Sequence, residues 1–405
     1  MQFFANSKIP FMKFRKVFVW VSITLLTVAV VELIVLGGLN FGIDFSGGTQ
    51  LTVKLQDDGP ALDDIRNSLN AAGIEGATLQ QYGAIEEHEI LIKTPVKEVA
   101  DTDSEDAEDA VEEGTAADVI AALNAELNQG NDGKIDLNQR GRDTLSTLLL
   151  GADPDGKSAD ADEARAHYEA VADAIVSKRQ ELKIFASMDE ALAVEGVSEA
   201  SADLIRSSAF VGAFQVLANE NVGPQIGSEL RTKGYLAVIM SLLGMLAYIW
   251  FRFELRFGIG ALVAVFHDFL ITLGLYALLD FEFNLPTIAA FLTLVGYSVN
   301  DTVVIFDRVR ENMRRFRRKP MEEVMDLSIN QTLSRTILTS GTTLLVVASL
   351  FFAGGEVLRG FAFVLMIGVI VGTYSSIFVA SPFTLLWEQW RSAKAEEKQA
   401  RAMQA

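Results

Sequence analysis

Six apolar stretches decide most of what this chain can become. They occupy roughly residues 17–39, 235–251, 257–279, 285–306, 336–352 and 361–387. A helix rises about 1.5 Å per residue, so about 20 apolar residues cross a hydrocarbon layer of about 30 Å. All six runs are near that length. The two of 17 residues need slightly polar ends, and the 27-residue run can tilt or kink at Pro382. The sequence therefore predicts a polytopic α-helical membrane protein with six transmembrane helices. The first run reads as a retained anchor. Its apolar core is too long for a cleaved signal, and GGLNFGIDF after it lacks a small-x-small cleavage site.

The charges divide the chain in the same way. The formal net charge of the 405 residues is −19, yet residues 40–231 carry −24 and the remainder +5. The basic residues cluster beside the apolar runs. Lys8, Lys13, Arg15 and Lys16 precede the first, and Arg252 and Arg256 separate the second from the third. Arg308, Arg310, Arg314, Arg315, Arg317, Arg318 and Lys319 follow the fourth, and Arg391, Lys394, Lys398 and Arg401 follow the sixth. Six spans put all four clusters on one side, which lysine and arginine mark as cytoplasmic. Both termini are then inside, and the connections 40–233, 280–284 and 353–360 outside. The expected organisation is a cytoplasmic N-terminus and first span (1–39), an extracytoplasmic domain (40–233), spans two to six (234–387) and a cytoplasmic tail (388–405).

Composition removes several function classes. An acidic chain is a poor nucleic-acid binder. With no cysteine and only His88, His167 and His267, thiolate or histidine-rich metal centres, disulfides and a cysteine nucleophile are not expected. No nucleophile–base pair or phosphate loop is legible, so neither an enzyme nor a bound cofactor is expected.

The extracytoplasmic part reads as β-α-β-β-α-β. TQLTVKL alternates as a strand, ALDDIRNSLNAAG is a helix ended by Gly73, and ATLQQYGA and HEILIKTP are two more strands. TAADVIAALNAELNQG is a second helix, and residues 214–222 are a last extended stretch. That order predicts an α+β ferredoxin-like domain with a helical insertion at about 97–212. Within the insertion, residues 98–113 hold nine acidic side chains and no basic one, and read as a solvated linker. NDGKIDLN and DPDGKSADADE are similar to Ca²⁺ loops without meeting the EF-hand order. KIFASMDEALAVEGVSEASADLI reads as a helix, a glycine-containing hairpin and a second helix.

A charge within a membrane is costly, so one that persists has a partner or a purpose. Asp301 lies about 8 Å by helix rise from the cytoplasmic end of the fourth run, and Arg335 at the cytoplasmic start of the fifth. At comparable depth on sequential helices they form either a poised proton acceptor with its guanidinium or a static ion pair. Asn300, Ser298, Ser334 and Thr336 add polar neighbours that could order water. His267 and Asp268 lie about 15 Å into the third run, and adjacent residues point about 100° apart, so they are expected to face different partners. Glu32 reads as a packing or headgroup-facing residue. Gly368 and Gly372 form a GxxxG for close helix contact.

Several long motifs in one order carry a family resemblance: GIDFSGGTQL, VGPQIGSEL, RFELRF, VFHDFLITLG, VGYSVNDTVVIFDRVREN and SINQTLSRTILTSGTTLLVV. Together they resemble the SecF side of the SecD/SecF protein-export family, over residues 1–56 and 221–390. The resemblance implies a bacterial inner-membrane protein with its large domain in the periplasm. It implies that the chain pairs with SecD beside the SecYEG channel and YajC, among membrane lipids. There it would use the proton motive force to assist late translocation of unfolded preproteins, with protons as coupling ion. It assigns Asp301 and Arg335 to the proton pathway. It makes Gly42, Asp44, Gly47, Gly48, Gly223 and Pro224 the segments that join outer domain to membrane. The 97–212 insertion makes the outer domain about twice the family's usual size. Two other readings stay open: a scaffold that stabilises the Sec complex without transport, and one half of a related proton-driven exporter.

Overall fold

The computed structural model describes residues 7–404 except 58, 84, 96–104, 132 and 253. The chain begins with α1 (Arg15–Val31), which continues through a wider π-helical segment, Glu32–Leu36. A two-residue strand β1 (Asn40–Phe41) leads to β2 (Gly48–Leu55), α2 (Leu62–Ala71), β3 (Thr78–Tyr82), β4 (Glu89–Thr94) and α3 (Glu105–Leu127). Next come β5 (Ile135–Asp136), α4 (Arg142–Ala152), α5 (Ala161–Leu182), α6 (Met188–Leu192), α7 (Glu199–Ser208), β6 (Ala209–Phe210) and β7 (Phe214–Val222). The chain closes with α8 (Pro224–Arg252), α9 (Leu255–Leu278), β8 (Glu282–Phe283), α10 (Leu285–Arg315), α11 (Met321–Ala353), α12 (Glu356–Ser375) and α13 (Ser381–Gln404). A π-helical segment, Ser376–Ala380, joins the last two. Two compact units result, Met1–Asp44 with Glu229–Ala405, and Phe45–Ser228.

In the second unit β2 sits between β4 and β7, and β3 flanks β4, all antiparallel, in the order β3-β4-β2-β7. Alternation makes this sheet one-sided: Leu51, Val53 and Leu55 of β2 and Ile90 and Ile92 of β4 are buried. They pack on Ile65 and Leu69 of α2 and Val119 and Leu123 of α3. Gly73, at φ +78°, ends α2 because the left-handed conformation there carries no Cβ penalty. Helix α3 begins at Glu105, inside the acidic run expected as a linker. Glutamate and alanine are good helix formers, and charge density alone does not stop a helix. Residues 98–104 of that run lie outside the described residues.

A separate core gathers α4 to α7 around Tyr168, Phe185, Leu145, Leu149, Ile175 and Ile205. Its helices start on side-chain caps. Asp160 accepts from the amides of Asp162 and Glu163, Ser187 from Glu190, and Ser198 from Ser201. Gly196, at φ +98°, turns the chain between α6 and α7. Fully buried Asn138 ties this core to the strand ends. Its Nδ2 donates to Phe185 O (3.1 Å) and Gly212 O (2.7 Å), and its Oδ1 accepts from Phe185 N (2.9 Å). Gln56 Nε2, at the end of β2, donates to the same two carbonyls at 3.1 and 3.3 Å. Lys183 Nζ reaches Glu89 Oε1 of β4 at 2.6 Å, and that bond holds the ammonium pKa above its ordinary value.

Among the described residues, six helical stretches are long and apolar enough to cross a membrane: Phe11–Leu36, Pro224–Ile249, Arg256–Leu278, Leu285–Arg315, Met321–Ala353 and Leu358–Arg391. Two begin well before the apolar runs. Helix α8 starts at Pro224, which has no amide to satisfy, and α11 starts after Pro320 with Glu322 and Glu323 in its first turn. Arg335 is therefore 14 residues inside its helix. Helices α9, α10 and α12 form the inner layer. Helices α1, α8 and α11 expose apolar side chains such as Trp20, Leu236, Leu345 and Phe352. The buried core of the first unit centres on Phe257, Val265, Val299, Phe306, Val309, Met325 and Ile329.

Candidate functional site: a buried polar layer

Helix α10 starts on a capping box. Asn284 Oδ1 accepts from Thr287 N at 3.1 Å, and Thr287 Oγ1 accepts from Asn284 N at 3.5 Å. Asp44 Oδ2 adds a bond from Leu285 N at 2.9 Å. Helical spacing then puts Ser298, Asp301 and Thr302 on one buried face. The carboxylate Oδ2 of Asp301 accepts from Ser340 Oγ of α11 at 3.1 Å, and Ser340 lies 2.7 Å from Thr373 Oγ1 of α12. Thr336, one turn before Ser340, keeps a buried hydroxyl without a hydrogen-bond partner among the described residues.

Arg335 does not face Asp301 as a pair. It is exposed, and no ion pair joins the two among the described residues. Asp301 bonds Ser340, which lies five residues, about 8 Å of rise, beyond Arg335. Comparable depth on neighbouring helices brought the two near without turning them toward each other. Asn300 is also exposed, one position round the helix from the buried face.

His267 and Asp268 form the densest cluster. Both are buried, and His267 Nδ1 lies 2.8 Å from Asp268 Oδ1. Asp268 Oδ2 accepts from Ser298 Oγ of α10 (2.6 Å) and Ser375 Oγ of α12 (2.7 Å). His267 Nε2 lies 3.0 Å from Ser22 Oγ of α1, and Ser22 lies 2.9 Å from Tyr374 Oη, which donates to Phe18 O at 2.7 Å. The two residues do reach different helices. They also bond each other, which the expectation of divergent directions missed, because the rotating imidazole folds over its neighbour's carboxyl group.

The protons in this chain can be counted. The contacts from Asp268 through His267, Ser22 and Tyr374 to Phe18 O are all donated bonds only when the His267–Asp268 pair together holds two protons. Imidazolium with carboxylate satisfies this, and so does neutral imidazole with a carboxylic acid. Removing one proton leaves a contact without a hydrogen. Four consecutive residues, the last three of α12 and the first of the π-helical segment, serve the layer: Thr373 meets Ser340, Tyr374 meets Ser22, Ser375 meets Asp268, and Ser376 meets Thr302 at 2.8 Å. Ser22, Ser340, Thr373, Tyr374 and Ser375 were not singled out in the sequence as part of a polar site. Their one signal is that hydroxyls cluster on helices otherwise apolar.

The joint motifs have definite geometry. Gly42 N donates to Phe283 O at 2.9 Å where β1 pairs in parallel with β8. A side chain on Gly42 would collide with Glu282. Gly47 adopts φ +73°, and a Cβ there would lie 3.1 Å from Pro224 Cα. Gly48 pairs with Val222, so the GG and VGP segments meet at one end of the sheet. Gly223 follows that strand and accepts from Gly227 N in the first turn of α8. Glu32 is half-buried in the π-helical segment, its carbonyl accepting from Gly38 N. On α12, Gly368 and Gly372 pack against Leu294 and Ser298 of α10.

The two acidic loops are filled by the protein's own donors. Burial pushes the Asp136 carboxyl pKa up against the amides of Asn138 and Gly212 that bond it. Asp153 accepts from the Ser158 hydroxyl, Tyr168 Oη and the amides of Lys157 and Ser158, which bring its pKa down to about 2. Burial works to raise the Asp155 pKa, but bonds from Ser198, His167 and Ser201 outweigh it and bring it below the ordinary value. Asp132 lies outside the described residues. Among those described, no group of three His, Asp or Glu is gathered in a way that could hold a metal ion.

Comparison with known proteins joins these features. The family model described as "Protein export membrane protein SecD/SecF, C-terminal" matches residues 203–390, and the "SecD/SecF GG Motif" model matches 33–58. Residues 59–202 lie between the two matches. The protein translocase subunit SecF of Koribacter versatilis is 41% identical over 402 residues, covering 96% of this chain and 94% of that protein. The SecF of Desulfurispirillum indicum is 37% identical, covering 94% and 91%. A crystal structure of SecDF, a translocon-associated membrane protein from Thermus thermophilus, superposes with a TM-score of 0.62 at 30% identity. It covers 96% of this chain, which spans only 40% of that longer one. Relatives matched end to end, the two motif regions and the six apolar helices agree: the chain belongs to the SecD/SecF family of protein-export membrane proteins, on its SecF side.

Proposed function

We propose that this chain is the SecF half of a proton-driven device that works with SecD to draw preproteins outward through SecYEG. The observation that carries the proton part is the polar layer. Asp301 is a buried carboxylate held by the hydroxyls of Ser340 and Thr373, with Arg335 exposed and no ion pair made to it among the described residues. Such a group is not locked by a salt bridge. Thr336 offers an unfilled hydroxyl one turn from Ser340, where water could enter. The His267–Asp268 pair extends the layer to α1, and its bonding depends on how many protons it holds. Protonation at either carboxylate then changes which of α1, α9, α10, α11 and α12 are bonded to one another. Arg335 and Asn300, both exposed on this layer's edge, would face the SecD half or water. No cofactor other than the coupling proton enters this scheme.

The outer unit is read as ferredoxin-like. Its strand order, β3-β4-β2-β7 with α2 and α3 on one face, supports that reading. The basic clusters support cytoplasmic termini and an extracytoplasmic domain in the bacterial inner membrane. The partners in this scheme are SecD first, then SecYEG, YajC, preprotein and lipid. Cells depleted of their own SecF test the reading. Expression of this chain is expected to restore export and to co-purify SecD. Normal membrane insertion without either result would overturn it.

A further inference from the structure

We propose that an arginine-lined cleft at the end of α10 binds the phosphate of an anionic phospholipid headgroup. The cleft, about 230 Å³, lies between the start of α9 and the end of α10 and is lined by Glu254, Arg256, Arg310, Met313, Arg314 and Arg317. That volume holds about seven or eight water-sized groups, enough for a phosphodiester and its glycerol.

Its arginines are of two kinds. Arg256 is fixed: Nη2 and Nε bond Glu254 Oε2 at 2.7 and 3.0 Å, Nη1 bonds Glu388 Oε2 at 3.1 Å, and its side chain is 17% exposed. Glu254 Oε1 lies 3.9 Å from Arg310 Nε, so one carboxylate orients two guanidinium groups. Arg314 and Arg317 are exposed, and neither has a carboxylate within ion-pair distance among the described residues. Positions 310, 314 and 317 recur at i, i+4 and i+7, which sets them on one face. Four guanidinium groups against Glu254 and Glu388 leave the cleft with two positive charges uncompensated.

Planar guanidinium forks match phosphate oxygens, and fixed ones lose less freedom on binding than free ones. Depth favours a lipid source. The cleft opens where the buried apolar face of α10 ends at Val309. Trp387 and Trp390, with ring centroids 5.7 Å apart, flank Glu388 on α13. Tryptophan concentrates at the level of the headgroups, and basic pockets between helix ends suit anionic headgroups. The cleft is independent of the translocase reading and needs only that these helices sit in a bilayer.

The test uses the full chain purified in uncharged detergent, with bound lipid counted by native mass spectrometry. Phosphatidylglycerol, phosphatidylcholine and inorganic phosphate are the three probes. Arg314→Gln/Arg317→Gln is compared with Arg318→Gln/Arg391→Gln, which removes equal charge outside the cleft. A juxtamembrane arginine is worth about fivefold in binding, so the cleft variant is expected to lose phosphatidylglycerol by about 25-fold, with the control near wild type. Equal loss in both variants would mean diffuse attraction and overturn the site. Equal retention of phosphatidylcholine by the wild type would do the same. Inorganic phosphate that displaces the lipid at millimolar concentration, and does so only with the cleft intact, would assign the site to free phosphate and overturn the lipid source.

Discussion

Removing the Asn138 side chain should open the insertion more than its size implies, and by an amount that depends on Gln56. Asn138→Ala deletes two donated bonds, to Phe185 O and Gly212 O, and one accepted from Phe185 N. Each such bond contributes about 1 kcal/mol net. The two carbonyls keep Gln56 Nε2 as a second donor, whereas the Phe185 amide is orphaned, and a buried orphan costs about 1–3 kcal/mol. With the vacated volume, the expected cost is about 3–5 kcal/mol. Gln56→Ala alone should cost about 1 kcal/mol, because Asn138 still serves both carbonyls. Together the substitutions should exceed their sum by about 1–2 kcal/mol, since only the double variant orphans all three backbone groups. Amide hydrogen exchange on the full-length protein reads this directly, through peptides covering 133–140, 183–187 and 209–214. Loss of protection confined there, with the sheet peptides unchanged, is expected for Asn138→Ala. Simple additivity of the two substitutions would refute the shared-acceptor reasoning.

Three further outcomes follow from the same geometry. Gly372→Val should destabilise the helical unit by about 1–3 kcal/mol, because a Cβ there already lies 3.3 Å from Ser298 Cα and 3.6 Å from Asp268 Oδ2. Gly296→Val, where nothing lies within 4 Å, should be near neutral in the same detergent-unfolding assay. The Asp153 pKa is lowered to about 2, so its contribution is present above the ordinary carboxyl value and lost as pH falls through about 2. The 153–158 loop should therefore stay protected from exchange at pH 4, and Asp153→Asn should weaken it at neutral pH. Ser22→Ala should cost about 1 kcal/mol and change the proton signals of the His267 ring, since it removes the group at Nε2. An unchanged ring spectrum would mean that the Ser22 contact is not made in solution.

Much of the architecture was legible because one physical signal dominated each part. Apolar length announces membrane helices, and period-two alternation announces Leu51, Val53 and Leu55 as a strand face. Apolar length does not give helix ends, because backbone hydrogen bonding continues into polar sequence; α11 starts 15 residues before its apolar run. The polar layer was half legible. Charges at 268 and 301 stand out on cost alone, but hydroxyls do not, since a serine can bond its own helix backbone. Only packing reveals that Ser375 serves Asp268 and Ser340 serves Asp301. That Asp301 and Arg335 make no ion pair among the described residues has a related reason. Depth along a helix is legible in a sequence, whereas azimuth is fixed by neighbours such as the close α10–α12 contact at Gly368 and Gly372. The acidic run at 98–113 was misread from Glu105 onward because charge density and helix propensity pointed in opposite directions.

The central claim is that a titrating carboxylate at 301 couples the proton gradient to export. Its most direct test is translocation by membrane vesicles carrying this chain or Asp301→Asn, with equal amounts of SecD co-purifying, measured with the proton motive force present and collapsed. The account predicts that the wild-type chain confers a gradient-dependent gain in translocation that Asp301→Asn abolishes. An equal gain from Asp301→Asn would contradict it and leave the chain as a scaffold of the Sec complex.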